Sequence, residues 1–177
     1  MSYKIISDSS ANLTEEMIEQ YDIDIIPLVF KIGEEEFYSY VKGEKTDIKQ
    51  FYDRMRQGEV ITTSLISMET CHDVFESNLK EGKDILYISF SSGLSGTYNA
   101  ALMVAKELEK DYPERKIYVV DSLSGSLGEG LLVYYCVRVK SCIFTRRSRQ
   151  SLGVMFFRST ASVGIHSSPS AERYGFS

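Results

Sequence analysis

Short apolar runs recur along the first 137 residues. Four of them run into Ser, Thr or Asp, and most lead into a stretch of helical spacing. Tyr3-Lys4-Ile5-Ile6-Ser7 is a β-branched run and reads as a first strand entering the polar turn Asp8 to Asn12. Thr14 then caps a helix from Glu15 to Tyr21, with two acids in its first turn where the helix dipole favours them. Asp24 to Phe30 reads as the next strand, with Pro27 marking an edge position or the strand's beginning. Lys31 to Tyr40 folds back as a hairpin around Gly33-Glu34. Thr46 to Gly58 is a complete helix pattern: Thr46 caps it, Ile48, Phe51, Tyr52 and Met55 form one apolar face, and Gly58 stops it.

Val60 to Ser64 follows as a short strand finishing in three hydroxyl residues. Ser67 caps a further helix through Leu79, with Cys71, Val74, Phe75 and Leu79 on its buried side. Asp84 to Phe90 is a buried strand, Ala100 to Leu108 a helix, Lys116 to Val120 another strand, and an apolar helix starts near Gly128. Strands alternating with helices indicate an α/β fold, a largely parallel sheet flanked by helices.

In such sheets a ligand binds beyond the carboxyl ends of the strands. Four strand ends carry hydroxyls or acids: Asp8 to Ser10, Thr62 to Ser64, Ser91 to Thr97, and Asp121 to Ser126. Together they predict a polar, uncharged pocket rich in donors. The turn Ser91-Ser92-Gly93-Leu94-Ser95-Gly96-Thr97-Tyr98 is the centre of it. Its glycines permit a tight approach, and the free N–H groups of the helix start favour an anion. The turn contains no Lys or Arg, which suits a small carboxylate better than a triphosphate.

Composition narrows the chemistry. Residues 1–137 hold 13 Lys+Arg against 24 Asp+Glu, which disfavours nucleic acid as a partner. Residues 138–177 reverse the balance, with seven basic residues, nine serines and one acid. That basic Ser/Arg-rich tail reads either as an arm for nucleic acid or a membrane surface, or as a frame-shifted or disordered segment foreign to the domain. The abruptness of the break favours the second reading. Cys71, Cys136 and Cys142 are an odd number at unrelated spacings, so neither a disulfide framework nor a zinc site is indicated. The chain shows no signal peptide and no stable membrane-inserting segment, so the expected location is cytoplasmic.

Catalysis finds little support. Gly93-Leu94-Ser95-Gly96 lacks the G-x-S-x-G spacing of a nucleophile elbow, and the two histidines, His72 and His166, fall on a surface helix and in the tail. The phosphate-loop and dinucleotide fingerprints are absent. Asp8 and Asp121 read as isolated carboxylates that orient loops by accepting backbone N–H bonds, so no metal or other cofactor is expected. The alternative is a small serine-dependent hydrolase or transferase acting on acyl groups through Ser95.

The series Ser7-Asp8-Ser9-Ser10-Ala11, Ile61-Thr62-Thr63-Ser64, Ser91 to Tyr98, and Val120-Asp121-Ser122 with its following Ser-x-Ser-Leu-Gly closely resembles the DegV family. The resemblance covers residues 3–137 in order. It implies a protein, not itself an enzyme, that binds a long-chain fatty acid such as palmitate. It also implies a role in lipid transport or fatty acid metabolism, as the acyl-carrying subunit presented to an ATP-binding fatty acid kinase partner. On this resemblance Thr63 and Ser95 hydrogen-bond the carboxylate. Residues 1–137 then form the fatty-acid-binding N-terminal domain, and residues 138–177 match nothing in the family. Two departures stand out. Leu65-Ile66 replaces the family's Gln-Pro after Thr-Ser, and residues 138–177 resemble none of the second domain that the resemblance implies, which covers the acyl chain. The expectation is a headgroup site with an incomplete tunnel that holds a fatty acid weakly or not at all.

Overall fold

The computed structural model describes residues 2–43 and 48–139, whose compact unit ends at Arg138. Two sheets form within it. Strands β1 (Tyr3–Asp8), β2 (Ile23–Ile26), β6 (Asp84–Ser89) and β7 (Ile117–Asp121) make a four-stranded parallel sheet of order β2-β1-β6-β7. Strands β3 (Leu28–Ile32), β4 (Glu35–Tyr38) and β5 (Ile61–Ile66) make a separate antiparallel sheet of order β4-β3-β5. The expectation of an α/β fold with a parallel sheet holds, and the antiparallel sheet is an addition to it.

Strands β1 and β6 lie at the centre of the parallel sheet, in register with Ile5 opposite Leu86, and every residue in both is buried. A parallel sheet covered on both faces requires such continuous runs. One face packs on helices α3 (Met68–Lys80) and α4 (Thr97–Asp111). There Ile6, Ile85 and Tyr87 meet Phe75, Leu79, Ala101, Val104 and Leu108 in a single core. Ser7 points to the opposite face by strand alternation and reaches Glu129 of helix α5 (Leu127–Arg138).

Helix starts follow their expected chemistry where the residues are described. The Thr14 hydroxyl accepts from the Met17 N–H at the head of α1 (Glu15–Tyr21), and Ser67 does the same for the Thr70 N–H of α3. Helix α2 runs Ile48–Arg56, and Gly58, at φ +87°, turns the chain away after it. The proposed cap Thr46 lies outside the described residues, as does the Ile48 side chain.

Three expectations need correction. Asp24 to Phe30 is two strands, because Pro27 supplies no N–H and the chain changes sheets there, β2 forming one edge and β3 the middle of the other. The face expected of α2 is only partly buried. Phe51 packs edge-on against Phe30 at 5.3 Å, whereas Tyr52 and Met55 are about half exposed, at 51% and 47%. Finally, Thr62 to Ser64 are not the end of a strand in the parallel sheet. They lie within β5, which continues to Ile66 and pairs antiparallel with β3.

Candidate functional site

Beyond the carboxyl ends of β1, β6 and β7 lies a cleft of about 810 Å³. Ser10 and Asn12 reach it from the turn after β1, Leu94, Ser95 and Gly96 from the turn after β6, and Gly125 and Ser126 from the turn after β7. Thr63, Ser64 and Leu65 of β5 and Leu28 of β3 form its other wall, with Phe90 completing the lining. Thr63 and Ser95, the two residues expected to meet a carboxylate, thus line one cleft although they come from different parts of the fold.

A bulge explains how three consecutive β5 residues can face one cavity. The register runs Leu28 opposite Ile66 and then Phe30 opposite Thr63, so Ser64 and Leu65 together face Val29 alone. An inserted residue breaks strict alternation and re-aims side chains. The antiparallel sheet is tied to the parallel one through Ser9. The Leu28 N–H donates to Ser9 Oγ at 2.9 Å, and Ser9 shares a 2.5 Å hydroxyl contact with Ser39.

The turn after β6 is held largely by itself. Leu94 and Ser95 donate their N–H groups to the Ser91 carbonyl at 3.0 Å, and the Gly93 N–H donates to Ser91 Oγ. The Thr97 N–H donates to Ser95 Oγ at 3.2 Å, and the Ser95 and Thr97 hydroxyls lie 2.9 Å apart. The expectation that the amides at this helix start are free for a ligand is therefore corrected for these four. What the turn presents is hydroxyl, chiefly Ser95. Its partner is Thr97 rather than a histidine, and His72 sits on α3 with Nδ1 3.8 Å from Asp73.

Asp121 behaves as expected of a loop-orienting carboxylate. It accepts from the N–H groups of Ser92 and Leu123 at 3.1 and 3.0 Å. Burial pushes its carboxyl upward, but the Ser92 hydroxyl together with those two N–H donors outweighs it and holds it below the ordinary aspartate range. Asp8 also accepts two backbone N–H bonds, from Ser10 and Phe90, yet it is not isolated. It shares Ser10 with Glu129, a fully buried acid that no sequence pattern singled out. Burial first, then the neighbouring Asp8 charge, push the Glu129 carboxyl up to about 8. The readable signal was an acid inside the apolar run Leu127 to Val133.

Two glycines make this packing possible. A Cβ on Gly130 would collide with the Ala11 carbonyl oxygen, so glycine lets α5 press against the 3-10 turn Ser9–Ala11 and carries Glu129 to Ser10. A Cβ on Gly125 would collide with the Phe90 ring. Also missed from sequence were the apolar members Leu28, Leu65, Phe90 and Leu94. Leu94 is 70% exposed at the cleft, unusual enough for a leucine in a polar turn to have been noted.

Fold and cleft define an α/β domain with a hydroxyl-lined, partly apolar cleft. The family described as "Uncharacterised protein, DegV family" matches residues 2–141, and the chain belongs to that family. A DegV domain-containing protein of Clostridium perfringens is 38% identical over 138 residues, which are 78% of this chain and 47% of that protein. Among solved structures, a stearic acid-binding protein of Eubacterium ventriosum aligns with TM-score 0.75 and 30% identity, over 84% of this chain and 51% of its own. A Thermotoga maritima protein whose structure revealed a fatty acid binding function aligns with TM-score 0.76 and 30% identity, over 92% and 56%. The chain spans about half the length of the curated relatives it matches. Among the described residues no helix is long and apolar enough to cross a membrane.

Proposed function

We propose that this chain binds a long-chain fatty acid, with palmitate or stearate as representative ligands. Thr63 and Ser95 hold the carboxylate, and the apolar side chains of the cleft receive the first part of the acyl chain. The observation that carries this reading is the meeting of Thr63 and Ser95 in one cleft beside Leu28, Leu65, Phe90 and Leu94. A carboxylate held by several hydroxyls stays ionised without a cation, and each buried CH2 adds about 0.8 kcal/mol. The stearic acid-binding relative supports the ligand class.

In this reading the protein is a cytoplasmic lipid carrier and not a catalyst. It presents the carboxylate to an ATP-binding kinase partner, and residues 1–137 are the fatty-acid-binding domain. Native mass spectrometry with organic extraction tests the binding. The expected result is a fatty acid mass on the wild-type chain, with retention reduced about tenfold in Thr63→Ala and in Ser95→Ala, the scale of a hydrogen bond to a charged group. Equal retention by both variants would remove these residues from the site.

A further inference from the structure

Behind the cleft wall, the short contacts among Ser7, Asp8, Ser10 and Glu129 outnumber the hydroxyl protons available to fill them. Ser10 Oγ lies 2.6 Å from Asp8 Oδ1 and 2.5 Å from Glu129 Oε2, yet a hydroxyl donates only one proton. Ser7 Oγ stands likewise between the Ile88 carbonyl oxygen at 3.0 Å and Glu129 Oε1 at 3.2 Å. Asp8 already accepts from the Ser10 N–H, the Phe90 N–H and the Tyr87 hydroxyl, at 3.0, 2.8 and 3.1 Å. It is therefore the better-served carboxylate, and a proton on Glu129 resolves both Ser10 contacts, leaving the single Ser7 proton to one of its two acceptors. Glu129 then donates a hydrogen bond to Ser10, and Ser10 donates one to Asp8. The ionisable groups facing this acid are Asp8 from β1 and, bonded to Asp8, Tyr87 from β6. The 3-10 turn faces it with Ser10.

Ser10 also lines the cleft, so a single hydroxyl separates Glu129 from the ligand space. We propose that Glu129 is a positioning residue for an anionic headgroup: its proton orients Ser10 and spares the cleft wall a second negative charge beside Asp8, and losing that proton weakens binding of the anion. The inference rests on the fatty acid reading above. Ionised Glu129 would place a second negative charge beside Asp8 and behind the site, where like charges repel in a poorly screened interior. The buried carboxyl, pushed up to about 8, loses its proton in mildly alkaline solution.

The test is stearate affinity of the full chain and of Glu129→Gln, measured from about pH 6.5 to about pH 9.5. Glutamine is uncharged and keeps one donor for Ser10 and one acceptor for Ser7, so the fold should persist. Wild-type affinity should fall about tenfold across this range, equivalent to ~1.4 kcal/mol, while Glu129→Gln stays flat. Ser10→Ala, which cuts the relay, should reduce the wild-type slope. Parallel profiles in wild type and Glu129→Gln would overturn the coupling and leave the fatty acid reading standing. Failure of the wild-type chain to hold stearate at any pH would remove that reading and the coupling with it.

Discussion

The two sheets solve burial differently. In the parallel sheet β1 and β6 have no exposed residue, and the loops beyond them are pinned by internal hydrogen bonds to Asp8, Asp121 and Ser91. In the antiparallel sheet Thr62, Thr63, Ser64 and Leu65 of β5 are all exposed, as are three of the four β4 residues. Ile66 joins the main core with Leu28 packed against it, and the rest of its support is local: Phe30 stacked on Phe37 at 5.4 Å, Phe51 edge-on to Phe30, and Arg54 bridging Glu35 and Glu59 at 2.9 and 2.7 Å. Such aromatic pairs contribute about 0.5–1.5 kcal/mol beyond their area, and exposed ion pairs less than about 1 kcal/mol. The comparison separates two duties. The parallel sheet fixes where Ser10, Ser95 and Ser126 stand, and the antiparallel sheet brings Thr63 across to them.

The largest expected contrast is in amide hydrogen exchange, where β6 amides should exchange orders of magnitude more slowly than those of β4. Equal rates would show that the two sheets open as one unit. Phe75 of α3, fully buried against Tyr87, comes next. Phe75→Ala should cost about 3–5 kcal/mol in denaturant unfolding. Gly130→Ala should cost about 1–3 kcal/mol, because its Cβ meets backbone rather than a flexible side chain. It should also shift the Glu129 titration by moving α5 off the 3-10 turn.

The pH dependence of stability isolates Glu129 further. Its folded carboxyl is raised to about 8 from an ordinary value of 4.5. Between those values the native state keeps a proton that the unfolded chain has lost, so stability falls as pH rises through this window and levels off above it. Glu129→Gln should remove that part of the decline in a series of urea titrations. At the small end, Tyr52→Ser on the half-exposed face of α2 should stay within about 0.5 kcal/mol. A larger loss would mean that α2 shares the main core.

Much of this was legible because it is local chemistry. Thr14 and Ser67 read as caps and are caps, since an N-cap needs only a hydroxyl and the amide three residues on. The runs at β1 and β6 read as buried strands because continuous apolar character suits a covered parallel sheet. Asp121 read as a loop-orienting acid and accepts the two expected N–H bonds. Family resemblance supplied Thr63 and Ser95, which pattern alone left among several hydroxyls.

The rest depended on distant partners. Nothing near Pro27 says that the chain changes sheets there, because sheet membership is decided by pairing with Ile6 on one side and Thr63 on the other. The bulge that turns Ser64 and Leu65 into the cleft exists only in register with Val29. Glu129 lies 121 residues from Asp8 and 119 from Ser10 along the chain. The sequence by itself determined the α/β class, the caps and the hydroxyl-rich turns, all set within a few residues. Only the tertiary structure decided that an acid in an apolar helix would share a serine with an acid at the end of the first strand, because burial and proton sharing arise only when the two segments meet.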